Sequence, residues 1–161
     1  MSGTVQGVFH PAISVSDMGE ALRFYRDLLG LEVAFDDFHD PEAISQLFGY
    51  LDPRVRSVVV RCPDGSEIEL VEFQRPRGRR SVDRDAADAG ILSVNLRVSG
   101  IEDMMARIRA GGYDLASDLV HQMLPDGGVI KVAVCRAPDG ASIILVELPT
   151  GRDSLAASGP A

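Results

Sequence analysis

The chain has no tryptophan, only two cysteines in 161 residues, and 6% aromatic residues. Cys62 and Cys135 form neither a C-x-x-C pair nor the even, closely spaced set of a disulfide framework. They read as half-buried strand thiols rather than as nucleophiles. No stretch approaches the ~20 apolar residues that span a bilayer, and the first residues lack a basic segment followed by a long apolar one. The expected location is therefore cytoplasmic, with no membrane partner. Basic residues are also scarce. Sixteen Lys and Arg against 24 Asp and Glu leave a formal net charge of −8, a balance that opposes phosphate binding and excludes a nucleic-acid partner. What is present is an ordinary globular composition, 45% hydrophobic and 25% charged, at a length that favours one domain. A chain of this size buries roughly 70% of its unfolded surface and needs no disulfide or structural metal to hold a core.

Within that length the sequence repeats itself. Arg61-Cys62-Pro63-Asp64-Gly65 and the Leu70-Val71-Glu72 that follows return 75 residues later as Arg136-Ala137-Pro138-Asp139-Gly140 and Leu145-Val146-Glu147. A weaker match sets Ile13-Ser14-Val15-Ser16 against Leu96-Arg97-Val98-Ser99 at an offset of 83. Each half reads strand, helix, then three strands. In the first, a strand over 9–15 precedes a helix with Ser16 or Asp17 as N-cap, Leu22, Tyr25, Leu28 and Leu29 at helical spacing, and Gly30 as its stop. A strand over 31–38, a helical turn over 41–48, and strands over 55–61 and 67–73 around Pro63-Asp64-Gly65 complete it. The second half predicts strands over 92–98, 114–123, 129–136 and 142–148, and a helix over 101–110 closed by Gly111-Gly112. The fold class is α+β: two βαβββ repeats forming an eight-stranded curved sheet, a cup with helices on its outer face. One domain is expected over 7–148, with repeats at 7–75 and 91–148. The connector, 76–90, carries Arg77, Arg79, Arg80 and Arg84 and reads as a solvated basic run. Residues 149–161 read as a loose tail.

Strand alternation divides these segments into two faces. Pro11, Ile13, Val15, Ile68, Leu70, Leu92, Val94, Leu96 and Val98 suit packing beneath helices. The opposite set, His10, Ser14, Glu67, Glu69, Ser93, Asn95, Arg97 and Ser142, makes a polar concave face, which suits a small-molecule or metal site. Histidine and carboxylate on adjacent strands can ligate a divalent ion. Equally, His10 can be a hydrogen-bonded structural residue and Glu69 can pair with Arg97.

The runs Phe9-His10-Pro11-Ala12-Ile13-Ser14-Val15-Ser16-Asp17-Met18, Ala21-Leu22-Arg23-Phe24-Tyr25-Arg26-Asp27-Leu28-Leu29-Gly30-Leu31-Glu32-Val33, Ile68-Glu69-Leu70-Val71-Glu72 and Ala137-Pro138-Asp139-Gly140 resemble the vicinal oxygen chelate superfamily, the glyoxalase, methylmalonyl-CoA epimerase, extradiol dioxygenase and bleomycin-resistance group. The resemblance spans residues 7–148. It implies four cup positions for a divalent ion (Zn, Ni, Mn, Fe or Co), two from each half. His10 and Glu69 occupy the first pair. The repeat offsets place Ser93 and Ile144 at the second, neither of them a strong ligand. Glu147, three residues from Ile144, points to the other face. His39 and His121 echo one another near the expected cup mouth.

The resemblance implies an enzyme of the isomerase or lyase type acting on a small keto or hydroxy metabolite. His10, Glu69 and Glu67 are its catalytic candidates, and Ser14, His39, Ser93, Asn95, Arg97 and His121 its substrate-binding ones. A metal, where one is bound, rests on His10 and Glu69 alone. Ile144 removes a base that glyoxalase I chemistry needs, so a standard glyoxalase I is not expected. The alternative is a metal-free binding protein of the bleomycin-resistance kind, disfavoured by the few aromatics. An extradiol-type oxygenase is a further alternative, weakened by Ser93 where a second histidine belongs. Members commonly dimerise, so a homodimer is expected.

Overall fold

The computed structural model of the protein describes residues 3–78, 93–152 and 154. The first half runs β1 (Ala12–Val15), α1 (Met18–Leu22) continuing into a π-helical turn (Arg23–Leu28), β2 (Glu32–Phe38), α2 (Pro41–Phe48), β3 (Arg54–Arg61) and β4 (Glu67–Arg75). The second runs β5 (Ser93–Arg97), α3 (Ile101–Ala110), β6 (Val120–Met123), β7 (Val129–Arg136) and β8 (Ser142–Glu147). Both halves are the expected βαβββ unit. Hydrogen bonding groups the eight strands four and four, in the orders β1-β4-β3-β2 and β5-β8-β7-β6. In each sheet the first strand lies parallel to the last, and the other pairs are antiparallel. The chain divides into two compact units, Met1–Arg84 and Asp85–Ala161. The expectations for Arg79, Arg80, Arg84 and Leu92, and for most of the tail, fall outside the described residues. Among the described residues no helix is long and apolar enough to cross a membrane.

The apolar patterns account for these elements. Asp17 caps α1, its Oδ1 accepting the Glu20 N–H at 2.9 Å, the usual partner for an orphan first-turn donor. Met18, Ala21, Leu22, Phe24, Tyr25 and Leu29 are buried. Here the structure departs from simple helical spacing. The Leu29 N–H donates to the Phe24 carbonyl at 2.9 Å, five residues back, and this wider turn buries Phe24 beside Tyr25 while Leu28 is left half-buried. In α3, Ile101, Met105 and Ile108 form the buried stripe. The helix-facing sides of the sheets are Val58, Val60, Ile68 and Leu70 in one unit and Ala133, Cys135, Ile143 and Leu145 in the other, all buried.

The repeat is physical as well as textual. In each hairpin the glycine of Pro-Asp-Gly takes positive φ, +88° at Gly65 and +85° at Gly140, a conformation costing other residues about 1–2 kcal/mol. Its N–H closes the turn on Cys62 and Ala137 respectively, at 2.9 and 2.8 Å. Each half also ties its last strand to the start of its helix. Glu72 Oε1 accepts the Met18 N–H at 3.2 Å, and Glu147 Oε2 accepts the Ile101 N–H at 2.7 Å. A carboxylate there satisfies an orphan donor and faces the positive end of the helix. Glu147 also lies 3.3 Å from Lys131 Nζ, which reaches Glu102 at 2.7 Å. Glu147 therefore faces the helix, as its odd spacing from Ile144 requires.

Two strands are shorter than their sequence pattern. β1 starts at Ala12 because Pro11 has no N–H to give the ladder, although its carbonyl still accepts from the Glu69 N–H at 3.0 Å. Residues 114–119 are not strand apart from a bridge between Leu115 and Cys135. There the Ser117 hydroxyl takes the Val134 N–H at 2.9 Å, so a side chain stands where a backbone carbonyl would continue the ladder. Cys135 is buried, and burial pushes its thiol up to about 11; Cys62 is half-buried.

Glu147→Ala is expected to cost about 1.5–3 kcal/mol, the scale of a hydrogen bond to a charged group, and Glu72→Ala less, its contact being longer. Urea unfolding midpoints measure both; a Glu147→Ala shift within about 0.5 kcal/mol would rule out the tie. With Cys135 held as buried thiol, titration with a thiol reagent at pH 8 should count one reactive cysteine in native protein and two after denaturation. Two in the native state would contradict this packing.

Candidate functional site

The polar face of the first sheet is organised around one carboxylate. Register places Val59 opposite Glu69 and Ser57 opposite Val71, so Ser57, Val59, Glu69 and Val71 share the face turned away from α1. Ser57 is 1% exposed and is the buried polar residue of the described core. Its hydroxyl donates to Glu69 Oε1 at 2.5 Å. His10, in the extended segment before β1, brings Nε2 to 3.4 Å from Glu69 Oε2. His39, at the end of β2, brings Nε2 to 3.4 Å from Oε1. The His10 and Glu69 side chains are 15% and 16% exposed, and that of His39 40%. A carboxylate so nearly withdrawn from water is costly unless polar groups compensate, and these three supply the compensation.

A β-bulge puts His39 there. Val33 pairs with Val60 and Phe35 with Val59, so Ala34 is an extra residue against β3. One inserted residue reverses the alternation that follows, and Phe35, Asp37 and His39 turn to the face of Glu69. The His39 N–H, bonded to the Val55 carbonyl at 2.9 Å, anchors the backbone at that point. In the second half, Leu115 faces Cys135 and Val120 faces Val132, five steps against three, so the excess is even and no reversal results. His121 accordingly pairs with Lys131 on the helix-facing side, with Glu102 among its electrostatic neighbours. The sequence echo of His39 and His121 thus ends on opposite faces of their respective sheets.

The remaining candidates make no contact of this kind with Glu69 in the first unit, or lie on the second. Glu67 lies on the Glu69 face, but Arg61 Nε and Nη2 engage its Oε1 at 2.9 and 2.7 Å. Ser14, opposite Val71, is exposed on that face. Asp36 is turned away; both its oxygens take hydrogen bonds from Arg56, at 2.8 and 2.7 Å, which hold its carboxyl below the usual range. Ser93, Asn95 and Arg97 line one face of the second sheet, opposite Ser142, Ile144 and Val146.

Two features escape a reading of the sequence. Ser57 is the small hydroxyl of the valine-rich stretch Val55-Arg56-Ser57-Val58-Val59-Val60, and its position on the strand paired with that of Glu69 is the signal that marks it. The second is aromatic. Phe73, on the Glu69 face by alternation, meets Tyr50 edge-on at 5.8 Å and Phe48 at 6.3 Å between ring centroids. A chain poor in aromatics thus gathers three around Phe73 of β4.

The metal implied by the resemblance requires donors that converge. Among the described residues no group of three or more His, Cys, Asp and Glu is placed to hold an ion. His10 approaches one oxygen of Glu69 and His39 the other, each at 3.4 Å. By residue type His10, His39 and Glu69 would make the two-histidine, one-carboxylate set of a catalytic zinc site, so it is their placement and not their number that falls short. The donor set does not fit a firmly held resident ion.

Ser57→Ala, which leaves Glu69 without its shortest hydrogen bond, should destabilise the protein by about 1–3 kcal/mol. In a double-mutant cycle with Glu69→Gln, the two changes should be non-additive by at least ~0.5 kcal/mol. Strict additivity in denaturant unfolding would mean that the pair is not coupled.

Comparison with known proteins agrees with this architecture. The family model of the Glyoxalase/Bleomycin resistance protein/Dioxygenase superfamily matches residues 9–133. A glyoxalase family protein from Bacillus cereus superposes with a TM-score of 0.79 at 23% identity, covering 91% of this chain and 96% of that one. A glyoxalase family protein from Enterococcus faecalis gives 0.63 at 22% identity, covering 88% and 98%. A glyoxylase/bleomycin resistance protein/dioxygenase domain from Frankia sp. EAN1pec gives 0.61 at 20%, covering 92% and 96%. No curated protein matches the chain. At these identities the solved structures speak for the fold; with the family match over most of the chain, the protein belongs to the vicinal oxygen chelate group, the Glyoxalase/Bleomycin resistance protein/Dioxygenase superfamily.

Proposed function

We propose that the protein is an enzyme of the isomerase or lyase type that moves a proton on a small keto or hydroxy compound, with Glu69 as the base. The observation that supports this reading is the setting of Glu69: little exposed, its Oε1 bonded to the Ser57 hydroxyl at 2.5 Å, with an imidazole nitrogen 3.4 Å from each oxygen. A carboxylate fixed in this way loses little orientational freedom on meeting a substrate C–H, the advantage that positioning confers on general base catalysis. Taking a proton from carbon next to a carbonyl sends the C–H electron pair into a new C=C bond and the carbonyl π pair onto oxygen. Where the α-carbon carries a hydroxyl, transfer of the hydroxyl proton to the first oxygen and return of the carbon-bound proton to the former carbonyl carbon complete an isomerisation, with the new carbonyl on the former α-carbon; loss of a β-substituent instead completes a lyase step. A small-molecule ligand accords with the superfamily, whose members commonly bind small molecules and form oligomers. Divalent metal ions are often used in the superfamily, but no step here is assigned to one.

A second reading, binding without turnover, draws support from the Phe48, Tyr50 and Phe73 trio, in which Phe48 and Tyr50 lie near parallel and Phe73 meets both edge-on, a group of rings that an aromatic ligand can join.

The test is exchange of α-protons into D2O, followed by NMR, for hydroxyacetone, acetoin, pyruvate and 2-hydroxyacetophenone. The wild-type protein should accelerate exchange of at least one, and Glu69→Gln should slow it by about 10²-fold or more. Saturation-transfer signals from bound compound with no exchange from any of them would replace the enzyme reading with the binding one.

A further inference from the structure

We propose that His39 is the second acid–base group of this site and that the proton transfer proceeds without a resident metal ion, through His39 and Glu69 of the first repeat alone. This rests on the reading of Glu69 as base. Three observations carry it. First, the extra residue Ala34 turns the end of β2 so that His39 Nε2 lies 3.4 Å from Glu69 Oε1; the second half keeps no such reversal, and His121 faces the helix side of its sheet. Second, the two imidazoles approach different oxygens of the carboxylate, and among the described residues no group of three or more His, Cys, Asp and Glu is placed to hold an ion. Third, the histidines differ in access. His10 Nδ1 is buried and, among the described residues, has no hydrogen-bond partner. His10 thereby suits holding Glu69 Oε2, and His39, 40% exposed, suits exchanging a proton with a ligand.

The step balances within these groups. The Glu69 carboxylate takes the α-proton, and the C–H electron pair becomes the C=C bond. The carbonyl π pair goes to oxygen, and the His39 imidazolium protonates that oxygen to give the enediol and neutral imidazole. In the second half of the reaction Glu69 delivers its proton to the former carbonyl carbon, the enediol hydroxyl on the former α-carbon gives its proton to neutral His39, and its O–H electron pair forms the new carbonyl as the C=C pair takes up the proton. No electrons enter or leave. His39 thus occupies the role of the second base that Ile144 removes from the other repeat.

The experiment uses the full chain, stripped with EDTA and checked for metal content, in the same exchange assay with hydroxyacetone and 2-hydroxyacetophenone. Exchange should survive metal removal. His39→Gln should lower it about 100-fold with an unchanged circular dichroism spectrum, and added imidazole should restore exchange to His39→Ala but not to Glu69→Gln. A merely structural His39 would not be rescued in this way. Exchange that falls in Glu69→Gln but persists in His39→Gln would overturn the role of His39 and leave that of Glu69 standing. Loss of exchange on stripping, with recovery on adding Zn²⁺, Ni²⁺ or Mn²⁺, would overturn the metal-free step. No exchange by the wild type on these two compounds or on acetoin or pyruvate would overturn Glu69 as base, and His39 with it.

Discussion

A carboxylate leaves water only if other polar groups replace the water it loses, and the polar face of the first repeat is built to meet that requirement at Glu69. Ser57 provides a direct hydroxyl donor from the adjacent strand, while His10 and His39 approach from the two ends of the unit's strand order, β1 and β2. Each arrives by a different device: Ser57 by ladder register, His10 by the extended segment that Pro11 keeps out of β1, and His39 by a bulge. Removing any one leaves a charge less than fully compensated, so the geometry of the site and the stability of the sheet are coupled at the same atoms.

The two repeats separate what must be kept for folding from what is open to change. Both retain the Pro-Asp-Gly turn with its positive-φ glycine and the glutamate that holds the helix N-terminus, because losing either would weaken the joining of strand to strand or of strand to helix. The faces turned away from the helices have diverged. The positions of His10 and Glu69 correspond by repeat offset to Ser93 and Ile144, and one sheet face carries the polar cluster while the other presents Ser93, Asn95 and Arg97 beside Ser142, Ile144 and Val146. Helix-side packing constrains volume and apolarity at every position, whereas a polar face is constrained only where a ligand or a buried charge demands it.

The superfamily hosts several chemistries on one scaffold, and a fold by itself does not choose among them. The choice made here rests on the arrangement of donors and acceptors around one residue. The scarcity of aromatics, which argues against a stacking binder when counted over the chain, loses force once Phe48, Tyr50 and Phe73 are found together. Distribution matters more than abundance because a small ligand meets only a few side chains.

Much of this protein was legible in the order of its residues. Apolar spacing, turn residues and the 75-residue repeat determined the α+β class, the two βαβββ units, the helix-facing core and the pairing of His10 with Glu69 on one face. These are local properties, set by periods of two or about 3.6 residues and by the backbone demands of proline and glycine. Three outcomes were decided only in tertiary structure: that Ser57 meets Glu69, that His39 joins the cluster, and that His121 lies on the helix side of its sheet. Which side chains meet depends on register between strands distant in sequence, and a single inserted residue such as Ala34 reverses every side chain beyond it without leaving a mark on composition or periodicity.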